Sequence, residues 1–224
     1  MRYCLQSDEE VVLFGASRGC AEFEQRLLRF DGDTTTTVNP TDDEVLYVLE
    51  GSGSGTICGE AVELEPGTAL YAAAGTTWSV DAADEMTIVS VLVRDPLPPD
   101  STHTVVAFDE VEAGVATAGR SFRMLAPCAS VTQFVGIIPV GRAPDHFHKY
   151  DEVVFVLQGT GALHIADESA PLRPGSCIHL PARLVHALEN DGPGEMHVLG
   201  VFRPAGSPAE AYYPDGTPAA VPVA

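Results

Sequence analysis

The feature that most constrains the fold is an internal duplication with an offset of 108 residues. Without any gap, Asp43-Glu44-Val45 aligns with Asp151-Glu152-Val153, and Pro66-Gly67 aligns with Pro174-Gly175. Solenoid repeats are much shorter, about 20 to 50 residues, whereas a repeat of this length corresponds to a whole domain. The sequence therefore predicts two copies of one domain in tandem.

Both copies are predicted to be all-β. Short apolar runs such as Val153–Leu157 alternate with glycine and proline turns, a pattern typical of strands joined by tight connections. One short helix is predicted at Ser207–Glu210, where a capping serine precedes a proline and a glutamate.

Proline content indicates where one domain ends and the next begins. The stretch Asp95–Thr102 contains three prolines, which cannot donate hydrogen bonds within a sheet. We therefore predict a first domain at residues 1–94, a linker at 95–104 and a second domain at 105–224. The second domain includes the short helix and a mobile tail from Pro214.

Ligand-type side chains cluster in the second copy. His146 and His148 lie two residues apart on a segment that leads into a strand, so both imidazoles are expected to project to the same side. Glu152 follows at an even spacing, and His186 comes after the Pro174-Gly175 turn and a second apolar run. Three imidazoles and one carboxylate suit a divalent transition metal.

This stretch resembles the two-part signature of the cupin superfamily. The matching positions are Gly141, His146, His148, Glu152, Gly159, Gly175, Pro181, His186 and Asn190. Two departures from the signature affect no ligand: one residue fewer precedes His146, and Arg183 occupies a glycine position. The resemblance implies a bicupin, with two tandem jelly-roll (double-stranded β-helix) barrels and one metal held by His146, His148, Glu152 and His186.

The first copy is predicted to have lost the metal ligands. Gapless alignment places Val38, Pro40 and Trp78 at the three histidine positions, and a slip of one residue offers Thr37 and Asn39 instead. Glu44 persists, but one carboxylate without imidazole partners cannot hold a transition metal tightly. Trp78 is expected to fill the space of the metal; an apolar ligand pocket is the alternative.

Four protein ligands would leave one or two coordination positions free for chemistry. Iron, manganese, nickel or copper could react with dioxygen there, whereas zinc could act as a Lewis acid, and the sequence does not choose among them. Glu152 could be the fourth ligand or a catalytic base. The candidate substrate-binding residues are Gln133, Arg142, Tyr150 and His179.

The predicted function follows from the resemblance to quercetin-cleaving, acireductone and oxalate-type cupins. It is an oxidoreductase of the dioxygenase type that acts on a small chelating substrate. The first alternative is a non-redox metal-dependent hydrolase, isomerase or lyase, and the second is a small-molecule binding module without turnover. These cupin families share their ligands but differ in substrate, so the fold cannot name the substrate.

Charge and composition limit the partners and the location. A formal charge of -20 disfavours binding to nucleic acid or to an anionic membrane. The amino terminus MRYCLQSDEEVVLF has no secretory signal pattern, and no apolar run reaches membrane-span length. Five scattered cysteines favour a reduced cytoplasmic protein. The resemblance to cupins, which commonly pair through edge strands, implies a homodimer.

Overall fold

The computed structural model describes residues 4–6 and 12–219. The strands are β1 (Cys4–Gln6), β2 (Val12–Phe14), β3 (Phe23–Asp31), β4 (Thr34–Val38), β5 (Asp43–Glu50), β6 (Gly53–Ile57), β7 (Glu60–Leu64), β8 (Thr68–Ala72), β9 (Thr77–Ala82), β10 (Glu85–Val93), β11 (His103–Ala107), β12 (Ala113–Val115), β13 (Ser121–Pro127), β14 (Thr132–Ile138), β15 (Gly141–Arg142), β16 (Asp151–Gln158), β17 (Gly161–Ile165), β18 (Glu168–Leu172), β19 (Ser176–Leu180), β20 (Ala187–Asn190) and β21 (Met196–Arg203). Short 3₁₀ helices lie at Ala16–Arg18 and Phe108–Glu110. Within the described part of the chain, no helix is long and apolar enough to cross a membrane.

The chain divides into two compact units. Residues 12–111 and 125–131 form the unit that we call the first barrel, and residues 4–6, 112–124 and 132–219 form the second barrel. This division differs from the predicted one, which placed a linker at residues 95–104. The strand β11 belongs to the first barrel because it pairs with β8, Val105 opposite Leu70, and so covers an edge that would otherwise expose unpaired backbone groups.

The two barrels share a common strand order in both of their sheets and differ at the edges of the larger sheet. In the first barrel the sheets have the orders β11-β8-β5-β10-β3-β2 and β4-β9-β6-β7. In the second barrel the orders are β1-β19-β16-β21-β14-β13-β12 and β15-β20-β17-β18. The strand order β8-β5-β10-β3 therefore corresponds to β19-β16-β21-β14. The prediction of an all-β fold with two tandem jelly-roll barrels is confirmed.

Each barrel has its own apolar core between its two sheets. Ile57 and Met86 are fully buried in the core of the first barrel, and Leu163 and Ile178 are fully buried in the core of the second barrel. Inward-facing side chains at every second position of each strand supply these cores. Because the two sheets of each barrel pack face to face, side chains from segments that are distant in sequence point towards the same interior.

The predicted helix at Ser207–Glu210 is wrong. The segment makes a single turn in which the Glu210 N–H bonds to the Ser207 carbonyl oxygen at 2.9 Å. A helix cannot continue because Tyr212 immediately forms an extended two-way backbone bridge with Phe147. The predicted mobile tail also begins with ordered backbone, since the Ala219 N–H bonds to the Ala211 carbonyl oxygen at 2.8 Å; residues 220–224 lie outside the described part of the chain.

Candidate metal centre

Three histidines converge in the interior of the second barrel. His146 and His148 lie on the connection between β15 and β16, and His186 directly precedes β20. His146 and His186 form an isolated antiparallel bridge, with backbone N–H···O distances of 3.0 and 2.9 Å. One ligand atom from each of His146, His148 and His186 can be chosen so that all three lie within 4.8 Å of one another, and all three residues are buried.

Backbone carbonyl groups fix the tautomer of every imidazole in this triad. The Nδ1 atoms of His146, His148 and His186 donate to the carbonyl oxygens of Pro144, Glu210 and Leu184, each at 2.9 Å. A carbonyl oxygen can only accept, so each Nδ1 carries the hydrogen and each Nε2 retains its lone pair. Orienting a metal ligand through its other ring nitrogen is the usual arrangement around metal-binding histidines.

The protonation states also favour metal binding. Burial, and to a lesser extent the neighbouring His148, lowers the pKa of His146 to about 4. Burial likewise lowers the pKa of His148 and holds the pKa of His186 far below its usual value. All three imidazoles are therefore neutral at neutral pH, which is the form that donates to a metal. Three neutral nitrogen donors in this arrangement fit a divalent transition metal.

Glu152 faces the same interior but lies outside the group of converging donors. It is 7% exposed on β16 and lines the cavity that contains the three histidines. Burial raises the pKa of Glu152 to about 8, while the Arg120 guanidinium acts in the opposite direction. The carboxyl group is therefore mostly protonated at neutral pH when no cation is near. Its predicted roles as fourth ligand and as catalytic base stay predictions.

The triad opens into a small, mainly apolar cavity of about 60 Å³. Phe122, Phe134 and Phe202 contribute aromatic walls, and Arg120 contributes a positive charge. Sequence patterning missed Arg120 because it lies in the loop between β12 and β13, well before the histidine motif. An isolated arginine in a loop is most often a surface residue, so nothing in the pattern indicated this placement.

Comparisons with known proteins agree with this fold. Residues 133–202 match the family model described as Cupin domain. The second barrel is a cupin domain. Protein SchB of Streptomyces halstedii is 29% identical over 101 residues, which cover 42% of this chain and 73% of that protein.

Solved structures extend the cupin assignment to both barrels at the level of the fold. Protein Ylba from E. coli is similar at 18% identity and a TM-score of 0.72, with 91% of each chain covered. A variant of oxalate decarboxylase from Bacillus subtilis is similar at 11% identity and a TM-score of 0.71, covering 91% of this chain and 78% of that one. The bicupin architecture that the sequence predicts is confirmed.

The four candidate substrate-binding residues do not line the cavity that contains the three histidines. On β14, Phe134, Gly136, Ile137 and Ile138 line the cavity and Gln133 does not, because it adjoins Phe134 and points to the opposite side of the sheet. His179 lies directly opposite Val153, on the face away from Glu152. Strand alternation therefore excludes both residues from the cavity.

The other two candidates lie beside the site rather than in it. Arg142 is exposed and its Nη2 forms an ion pair with the Asp145 carboxylate at 2.9 Å. Tyr150 is buried, and its ring stacks beside that of His148 with centroids 6.4 Å apart. Its hydroxyl donates to the Glu210 carboxylate. Tyr150 thus supports a histidine from outside the cavity.

A polar network occupies the corresponding interior of the first barrel. Thr37 is paired with Trp78 as His146 is with His186, so the one-residue slip is the alignment that the structure has. Asn39 then takes the place of His148, and both Asn39 Nδ2 and Trp78 Nε1 donate to Oε2 of Glu44. Arg26 and Ser90 donate to the other carboxylate oxygen. Donors from the protein itself thus engage Glu44 on both oxygens.

Proposed function

We propose that the second barrel is a metal-dependent oxidoreductase of the dioxygenase type that acts on a small chelating substrate. The observation that carries this proposal is the convergence of three neutral imidazoles whose Nδ1 atoms are all held by backbone carbonyl groups. Purely structural metal sites are usually closed by four protein ligands, whereas a site with three protein donors keeps at least one position for substrate.

The proposed activity assigns a role to each residue of the site. His146, His148 and His186 would hold one divalent ion, and Glu152 would join them or exchange a proton with the substrate. When bound there, a redox-active ion such as iron, manganese, nickel or copper supplies the electron transfer and the open coordination positions that a reaction with dioxygen needs. The aromatic walls would exclude water, which strengthens every electrostatic interaction inside.

Oxygen consumption by protein of defined metal content tests this proposal. Metal-free protein is loaded separately with iron, manganese, nickel, copper and zinc, and each form is assayed with enolic and phenolic chelators in an oxygen electrode. We expect uptake with at least one redox-active metal and none with zinc. His186→Ala should abolish uptake, while His197→Gln, on β21 outside the cavity, is the matched control. Absence of uptake across all metals and chelators would contradict the proposal.

Non-redox chemistry is the second candidate, and one observation favours it. A buried carboxyl group with a pKa of about 8 is suited to deliver or remove a proton near pH 7. A lyase, isomerase or hydrolase could use Glu152 in this way with zinc as the metal. Turnover by the zinc form that continues without oxygen, and that Glu152→Gln abolishes, would select this candidate.

The homodimer is a further proposal that follows from the resemblance. Light scattering coupled to size-exclusion chromatography measures the molar mass directly. We expect twice the mass of the 23.6 kDa chain, and a monomer at micromolar concentration would exclude the dimer.

A further inference from the structure

We propose that Arg120 binds the carboxylate group of the substrate. The substrates of the second barrel would then be small carboxylates with a neighbouring chelating oxygen, such as 2-oxo acids. This inference deepens the proposed function and rests on it for the position of the metal. It assigns substrate binding to Arg120 rather than to the candidate Arg142, which the structure places at the surface in an ion pair with Asp145.

A tight loop between β12 and β13 fixes the position of Arg120. The Ala116 N–H bonds to the Arg120 carbonyl oxygen at 2.9 Å, and the Arg120 N–H bonds to the Thr117 carbonyl oxygen at 3.2 Å. Ala118 and Gly119 at the tip have φ angles of 56° and 72°, the left-handed region that lets the chain reverse so sharply. The guanidinium therefore enters the cavity from a loop held at both ends.

The guanidinium is anchored through one nitrogen and keeps further donors available. Its Nη2 donates to the carbonyl oxygen of Leu188 at 2.8 Å, two residues after the ligand His186. A guanidinium has five N–H donors in a planar fork, and the structure shows this one side-chain hydrogen bond for Arg120 among the described residues. The fork geometry matches a carboxylate, which can accept two parallel hydrogen bonds.

The positive charges of Arg120 and of the proposed metal favour the binding of an anion in the cavity. Arg120 lines the same cavity as the three histidines and Glu152, so its charge lies close to the proposed metal position. Two cationic groups in a cavity walled by aromatic rings repel each other strongly unless an anion lies between them. Glu152 can supply one negative charge, and a substrate carboxylate shared by Arg120 and the metal supplies the next.

The cavity also limits the size and the polarity of this anion. A space of about 60 Å³ admits a ligand of a few heavy atoms. Among the described residues that line it, Arg120 is the single lysine or arginine, so one carboxylate is the group that the protein itself can pair. The chain as a whole carries a charge of -20, which makes this interior an exception to a surface that repels anions.

Binding of pyruvate and of pyruvamide to the copper(II)-loaded protein tests the inference. The two probes have the same shape and the same keto group, but only pyruvate carries a carboxylate. Their affinities are measured by calorimetry and by the change in visible absorption of the copper form, without any need for turnover. We expect the unmodified protein to prefer pyruvate by about tenfold to a hundredfold, the range for hydrogen bonds to a charged group.

Two variants assign this preference to Arg120. Arg120→Met should remove most of the preference for pyruvate while metal content and pyruvamide binding stay the same, and Arg120→Lys should keep part of it. Arg142→Met, which removes an arginine outside the cavity, should leave both affinities unchanged. A preference that survives in Arg120→Met, or a loss of metal in that variant, would overturn the assignment.

The unmodified protein decides the matter even if no Arg120 variant folds. Equal affinity for the two probes would mean that no carboxylate is recognised, and the inference would fail. A clear preference for pyruvate in protein that consumes no oxygen would defeat the proposed activity and leave the carboxylate site standing. If the protein takes up no metal, the metal-dependent function fails, and calorimetry of the metal-free protein with pyruvate still tests Arg120.

Discussion

His148 donates its Nδ1 hydrogen to the backbone carbonyl oxygen of Glu210, a residue 62 positions later in the chain, at 2.9 Å. The other two histidines take their acceptors from carbonyl groups only two residues before themselves. One of the three ligands is therefore oriented by a distant segment. We call residues Ser207–Tyr212 the strap, and Pro208 and Ala211 within it also line the cavity.

Side chains of Lys149 and Tyr150, which precede β16, help to hold the strap in place. The Glu210 carboxylate accepts hydrogen bonds from the hydroxyl groups of Tyr150 and Tyr212. Lys149 Nζ donates to the Tyr212 hydroxyl at 2.7 Å. The backbone bridge between Phe147 and Tyr212 completes the attachment. Because Tyr150 also stacks beside His148, the same residue supports the ligand and the strap that orients it.

The first prediction concerns the strap. Glu210→Ala keeps the carbonyl group that His148 uses but removes the carboxylate that fastens the strap to Tyr150 and that accepts a hydrogen bond from Tyr212 within the strap. We expect metal affinity to fall by about tenfold to a hundredfold, as is typical when groups that orient a metal ligand are removed. Competition with a chelator of known affinity measures this loss. Glu168→Ala, an exposed change on β18, is the control, and equal affinities for the two variants would exclude an orienting role for the strap.

The second prediction concerns the triad itself. His186→Ala removes one of three donors, so the affinity for a divalent transition metal should fall by more than about a hundredfold. His148→Ala should have the same effect. Elemental analysis of dialysed protein measures the stoichiometry, and the metal-dependent rise in melting temperature, expected for the unmodified protein, should disappear. Stoichiometric metal in either variant would mean that the ligands are others.

The third prediction concerns protons released on metal binding. In the metal-free protein Glu152 has a pKa of about 8, above its usual value, so the carboxyl group is mostly protonated at pH 7. The histidines are already neutral at this pH because their pKa values are lowered. A cation bound beside Glu152 should therefore expel close to one proton at pH 7, and this release should shrink as the pH rises above 8.

Calorimetry in buffers of different ionisation enthalpy counts these protons. Glu152→Gln should abolish the release, which assigns the proton to this residue. If Glu152 is a ligand, the same variant should also bind metal more weakly; if it acts only as a base, affinity should hardly change. A heat of binding that is the same in all buffers would contradict the raised pKa.

The sequence predicted the tandem all-β fold from the internal duplication, and it predicted the converging histidines from the His-x-His spacing and from the two-part motif that includes His186. The duplication can be recognised by aligning the sequence with itself. A His-x-His segment beside a strand directs both imidazole rings to one side. The position of β11 was harder to predict from the sequence. Prolines at 96, 98 and 99 indicate where strand pairing stops, but they do not indicate which sheet the next strand joins. Sheet partners are non-local, and local pattern does not determine them.

The residues around the three histidines were harder to predict for the same reason. Arg142 and Tyr150 were candidates because they adjoin the motif in sequence, but the side chain that reaches the cavity is Arg120, delivered by a loop before β13. Glu210 orients a ligand through its backbone, which no side-chain pattern can reveal. Proximity along the chain was informative for the ligands and misleading for the groups that surround them.

The fourth prediction concerns the network that fills the first barrel. Glu44 is fully buried and accepts hydrogen bonds from Arg26, Ser90, Asn39 and Trp78. Removing one member of a buried ion pair leaves the other group without compensation, which costs about 3–5 kcal/mol. Glu44→Ala should therefore lower the free energy of unfolding of this barrel by about that amount, while Glu63→Ala, an exposed change on β7, should alter it by less than about 0.5 kcal/mol.

Trp78 makes this prediction measurable in a protein of two barrels. It is the single tryptophan of the chain, and its indole Nε1 donates to Glu44 at 2.9 Å, so its fluorescence reports on the first barrel alone. Urea unfolding followed by this fluorescence should show a lower midpoint in Glu44→Ala, whereas the metal-dependent transition of the second barrel should stay in place. An unchanged fluorescence midpoint would mean that the network around Glu44 contributes nothing to the stability of the first barrel.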